Sequence, residues 1–142
     1  MKAYADTSFL ISLYTPDVHS TAAATRMARA KTILFLTPFG EAELTNALEL
    51  RLFRREIDRA EAKAALVAFE QDVRNGVFSL QPMAAAVCQR AKQLSRKHTA
   101  ALGVRTLDVL HVAAALVLQA EAFYTFDTQQ GKLAQAEGLR VK

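Results

Sequence analysis

Cysteine is all but missing from this chain. Cys88 is the only one in 142 residues, so no internal disulfide can form. It sits in an apolar helical pattern with Met83, Val87 and Leu94 and reads as a packed thiol. Nothing calls for an oxidising compartment, so the cytoplasm is the default location. No apolar run is long enough to span a bilayer. The N-terminus shows no basic segment with a cleavage site, and the C-terminus no lipidation signal. Repeats, low-complexity stretches and linkers are absent too. One domain over residues 1–142 is therefore expected. Aromatics are 8% of the chain and scattered, which argues against a base-stacking platform.

About half of the residues, 51%, are apolar, enough for a real core. The formal net charge is +4 and the pI about 9.5, which suits a polyanionic partner. Arg51, Arg54, Arg55 and Arg59 cluster at one helix junction. Arg90, Lys92, Arg96, Lys97 and His98 lie on and after another helix. A solvated helix face and a nucleic-acid groove explain these clusters equally well.

Short apolar runs alternate with helical patterns. A first strand ends at Asp6, and a helix follows at once. Residues 17–31 are rich in Ala and Arg and should be helical. Thr32 to Leu36 is β-branched and apolar, a second strand. Thr37-Pro38 makes a helix start, and Leu44, Leu48 and Leu52 share one face of the helix to about Arg54. The next helix, about Asp58 to Arg74, has Ala60, Ala64, Val67 and Val73 at helical spacing and ends at Asn75-Gly76. Val77 to Leu80 is a short strand, and Met83 to about Lys97 a helix. Thr106 caps a further helix that runs through Asp108 and His111 to Leu118. Ala122 to Phe126 is a strand, Thr128 to Glu137 a helix stopped by Gly138, and Leu139 to Val141 a last strand. This alternation predicts an α/β fold, a three-layer α/β/α domain around a mostly parallel sheet.

Four acids occupy unusual places. Asp6 and Asp127 each end a strand, where open α/β sheets bind ligands. Each is also a favoured N-cap for the helix that follows. Thr7 and Ser8 place two hydroxyls beside Asp6. Asp108 begins a nearly all-apolar helix, where a carboxylate needs backbone donors, a cation or a metal; the first turn of a helix also favours an acid. His111, three residues on, shares its face and would orient that carboxylate. Glu43 comes early in its helix, with Asn46 one turn on. Glu41 competes with it, but residues two apart point to nearly opposite sides. Carboxylates gathered within about 5 Å of one another repel by about 3 kcal/mol per pair at an effective dielectric near 20. Four together would bind protons or a cation. Oxygen-only donors select a hard ion, Mg²⁺ or Mn²⁺, and no Cys/His set offers a zinc site. Such an ion activates water and steadies a pentacoordinate phosphate, so phosphodiester hydrolysis is the chemistry best served.

In order, the chain reads Asp6-Thr7-Ser8, Glu43-Leu-Thr-Asn46, Arg105-Thr-Leu-Asp108-Val-Leu-His111 and Thr125-Phe-Asp127. This set resembles the PIN-domain nucleases, in particular VapC-type toxins of toxin–antitoxin modules, over essentially the whole chain. The resemblance implies a PIN fold and a Mg²⁺-dependent endoribonuclease, with Mn²⁺ as a substitute. Asp6 and Asp108 would ligate the metal. Glu43 and Asp127 would complete the acidic pocket, through water or around a second ion. Thr7, Ser8 and Thr125 would neighbour the site, and Asn46 matches the family's polar residue after the Glu. His111 stands where other members carry an apolar residue. The resemblance also implies RNA as substrate, products with a 5′-phosphate and a 3′-hydroxyl, a homodimer, and a cognate antitoxin.

Other readings are an RNA-processing nuclease outside any toxin system, or an inactive PIN-like binding module. Haloacid-dehalogenase-like phosphatases need a second Asp two residues after the first, where this chain has Ser8. Receiver domains need an Asp after the third strand, where Gln81-Pro82 follows Leu80.

Overall fold

A computed structural model describes all 142 residues. The elements run β1 (Ala3–Ala5), α1 (Thr7–Tyr14), α2 (Ser20–Arg29), β2 (Leu34–Leu36), α3 (Pro38–Phe53), α4 (Arg59–Arg74) and β3 (Phe78–Leu80). They continue with α5 (Ala85–Leu94), a π-helical turn (Ser95–Thr99), α6 (Ala100–Leu102), α7 (Thr106–Val117), β4 (Ala122–Tyr124), α8 (Thr128–Ala136) and β5 (Arg140–Val141). The five strands lie in the order β3-β2-β1-β4-β5, and every pair is parallel. The chain leaves β1 toward β2 on one side and later returns to β4 on the other. The order thus reverses between β1 and β4, and a crevice opens there at the carboxyl ends of the strands.

Side-chain alternation along the short strands splits the core in two. Ala3 and Ala5 face one layer with Phe9, Leu44, Leu48 and Phe69. Tyr4 and Phe123 face the other, packed by Val112, Leu94 and Leu133. Helices therefore cover both faces, as expected for a three-layer domain. No helix is long and apolar enough to cross a membrane.

Capping chemistry sets most helix starts. Asp6 accepts the Phe9 N–H, Thr37 the Gly40 N–H with Pro38 behind it, and Asp127 the Gln130 N–H. Asp58 and Glu61 form a reciprocal capping box. Gly76 and Gly138 take positive φ just past the ends of α4 and α8, a conformation that costs glycine little.

Several expectations need correction. The helix expected over 17–31 begins only at Ser20, because the Asp17 carboxylate is engaged with the His19 N–H, Ser12 and Arg51 and shapes a turn. The helix expected from Met83 begins at Ala85; Pro82-Met83-Ala84 offers no side-chain cap. Thr106 is not the cap of α7. Arg105 holds that position, and its N–H is taken by the Asp108 carboxylate at 3.2 Å. On α4 the buried residues are Ala62, Ala65 and Phe69, while Val67 is half exposed. An Ala-rich helix offers more than one apolar stripe, and the bulky Phe69 decides which is buried. Cys88 is exposed rather than packed. Helix α5 buries Val87 and Leu94, and the residue after Val87 is turned about 100° away.

Candidate active site

Strand ends and helix starts meet in a cleft of about 330 Å³ at the carboxyl edge of the sheet. Glu43 from α3, Asp108 from α7 and Asp127 at the start of α8 line it. Thr7, Ser8 and Asn46 line it as well, and Leu50 and Leu107 add apolar surface. Glu41 does not line the cleft.

Asp6 is not on the cleft wall. It is fully buried beneath it, where Ser8 donates to it at 2.8 Å, and Thr125 and the Phe9 N–H donate as well. Burial nevertheless pushes its pKa up to about 6 against the pull of these donors. Thr125 Oγ1 also accepts the Asp127 N–H at 2.9 Å, and Ser8 Oγ the Phe126 N–H at 2.9 Å. The ends of β1 and β4 are thereby stitched together around one carboxylate. Capping and site-building share one geometry at Asp127, which starts α8 and lines the crevice; Asp6 starts α1 in the same way and lies just beneath it.

Asp108 is held by the Arg105 N–H and by Gln130 Nε2 at 3.3 Å. Its pKa is raised by burial and by the Asp127 and Glu43 charges, against the Arg105 and His111 contributions. Glu43 goes the other way. Burial would raise it, but hydrogen bonds from His111 and Thr7 hold it below the usual glutamate range. His111 is therefore placed differently from the expectation: its Nε2 meets Glu43 at 2.7 Å, and it makes no hydrogen bond to Asp108. None of the four acids pairs with a Lys or Arg; the one basic side chain in contact with them is His111, hydrogen-bonded to Glu43. No three His, Cys, Asp or Glu side chains form a ready-made chelate. The chemistry still fits a hard divalent cation. The donors are oxygens, no Lys or Arg compensates their charge, and Mg²⁺ binds through one or two carboxylates while keeping waters.

Two contributors escaped the sequence reading. Gln130 is buried at the cleft with its Oε1 unpartnered; its place three residues after the capping Asp127 was the available signal. Tyr4 is fully buried behind the cleft, with its hydroxyl 2.8 Å from His111 Nδ1.

The basic clusters resolve unevenly. Arg51 pairs with Asp17, Arg59 with Glu49, and Arg90, Lys97 and His98 converge on Glu137. A separate groove of about 350 Å³ is lined by Arg26, Arg29, Lys31 and Lys142, with no acidic side chain. Tyr124 in its wall is three residues from Asp127.

The PIN domain family profile matches residues 3–136. The fold is similar to that of VapC20 from Mycobacterium tuberculosis, described as a sarcin–ricin loop cleaving toxin. The TM-score is 0.73 at 18% identity, over 98% of each chain. It is also similar to FitAcB from Neisseria gonorrhoeae, with a TM-score of 0.67 at 17% identity, over 99% of this chain and 96% of that one. No curated protein sequence matches the chain.

Proposed function

This chain belongs to the PIN domain family, and from that membership and its acidic cleft we propose that it is a Mg²⁺-dependent endoribonuclease, the toxin of a toxin–antitoxin pair. One observation carries the reading. Three carboxylates line a single cleft with a fourth buried beneath it, and no Lys or Arg neutralises them. The likeness to VapC20, described as a toxin that cleaves the sarcin–ricin loop, supports the same reading.

In this proposal Asp6 and Asp108 hold the ion, and Glu43 and Asp127 complete its surroundings, directly or through water. Mg²⁺ bound there, or Mn²⁺ in its place, supplies positive charge for the phosphate and lowers the pKa of bound water. The chain's own residues do the positioning. Ser8 and Thr125 orient the Asp6 carboxylate. The Gln130 amide and the Arg105 N–H hold Asp108. Asn46, exposed on the cleft wall, offers an amide to the RNA. The unpaired cations of the Arg26–Lys142 groove attract the phosphate backbone. A cognate antitoxin and a second copy of the chain complete the set of partners.

The test is cleavage of RNA by the purified protein in Mg²⁺, with 5′-end mapping. We expect discrete cuts leaving 5′-phosphates, abolished by EDTA and by Asp108→Asn with the fold intact. Undiminished cleavage by Asp108→Asn, or in EDTA, would overturn the assignment.

A further inference from the structure

Resting on the nuclease reading, we propose that Tyr4 and His111 are positioning residues: they form a buried strut, polarised in one direction from the cap of α3 to Glu43, that presents Glu43 to the cleft as a fixed carboxylate. The strut leaves α3 at its N-cap and returns to the same helix at Glu43. The Gly40 N–H donates to Thr37 Oγ1 at 3.3 Å, and Thr37 Oγ1 lies 3.2 Å from the Tyr4 hydroxyl. That hydroxyl lies 2.8 Å from His111 Nδ1, and His111 Nε2 lies 2.7 Å from Glu43 Oε1. Thr7 donates to the same Glu43 oxygen. Tyr4, Thr37 and His111 are each 1% exposed or less, so the chain is out of reach of bulk water.

Only one neutral tautomer of His111 satisfies this chain. A carboxylate only accepts, so Nε2 must carry the ring proton. A neutral ring then accepts at Nδ1, so Tyr4 donates to His111 and accepts from Thr37, which in turn accepts from Gly40. The opposite tautomer would set a lone pair of Nε2 against the carboxylate. Buried groups without partners are costly, so of the two neutral tautomers the Nε2–H form is the one that satisfies the chain.

Packing holds both rings in place. Tyr4 stacks on Phe123 with ring centroids 5.6 Å apart, and Phe39 packs on His111 at 4.6 Å. Because His111 lies on α7 with Asp108, the strut also fixes the helix carrying one acid against the helix carrying another. Glu43 Oε1 is committed to His111 and Thr7, while Oε2 takes no protein donor and is left to the cleft.

The experiment has two readings on the full chain. Nitrogen-15 NMR of the imidazole of His111, at a pH where the ring is neutral, should show the proton on Nε2 and a bare Nδ1. Mn²⁺ titration should show binding weakened about tenfold in Tyr4→Phe and in His111→Leu, the scale for losing a partner that orients a metal ligand. His111→Gln, whose amide can donate to Glu43, should recover most of that loss. A neutral ring with its proton on Nδ1, or unchanged Mn²⁺ affinity in Tyr4→Phe, would overturn the strut. A protein that binds no Mn²⁺ at all would defeat the nuclease reading instead, and the NMR spectrum would still decide the strut.

Discussion

Replacing Asp6 with Asn should stabilise the metal-free protein at neutral pH while removing its metal site. The Asp6 carboxyl is fully buried, and its pKa rises from 3.8 to about 6. A shift of that size corresponds to about 3 kcal/mol. The folded chain holds this proton more tightly than the unfolded chain. The stability it confers is therefore complete below about pH 4 and lost as pH rises through about 6. Asn is neutral throughout and similar in shape. Its oxygen can keep the Phe9 N–H, and its amide can donate to Thr125, whose proton turns to Ser8 Oγ at 3.1 Å. In urea unfolding with EDTA, Asp6→Asn should exceed the parent by about 1–3 kcal/mol near pH 7.5, and the gap should close near pH 4. Added Mg²⁺ should then stabilise the parent and not the variant. A variant less stable than the parent near pH 7.5, or a gap independent of pH, would refute the argument.

Phe69→Ala should cost about 3–5 kcal/mol, as the large buried side chain of α4, whereas Val67→Ala should change stability by less than about 0.5 kcal/mol; denaturant melts of the pair check which face of that helix is inward. Cys88 should react with a thiol reagent in the native protein at the rate of an open thiol, without unfolding. The double reversal Arg26→Glu and Arg29→Glu, made in an Asp108→Asn background to prevent cleavage, should weaken RNA binding. It should also reduce the slope of log affinity against log salt by about 1–2; an unchanged slope would show that the groove makes no phosphate contacts.

What was legible in the sequence was whatever local chemistry dictates. Asp6 could be placed because the residue that ends a strand and caps the next helix sits at the carboxyl edge of the sheet, so one short motif carries both facts; Asp127 caps α8 likewise, but β4 stops at Tyr124, short of the strand end expected at Phe126. The alternation of apolar runs and helical patterns was enough for a parallel three-layer fold. Features that depend on two elements meeting were hidden. His111 was assigned to Asp108 by helical spacing, but packing across the sheet turns its ring to Glu43 and Tyr4. The basic groove joins the end of α2 to the end of β5, residues more than a hundred positions apart. Cys88 and Val67 were misplaced because an Ala-rich helix does not declare which of its stripes is inward.

The most direct test of the central claim, that these four acids together hold a divalent cation, is an anomalous-scattering map of crystals grown with Mn²⁺. A manganese peak in the cleft beside Asp6, Glu43, Asp108 and Asp127, lost in Asp108→Asn, is the predicted result. A cleft without manganese in crystals at saturating Mn²⁺, or a peak bound elsewhere on the chain, would contradict it.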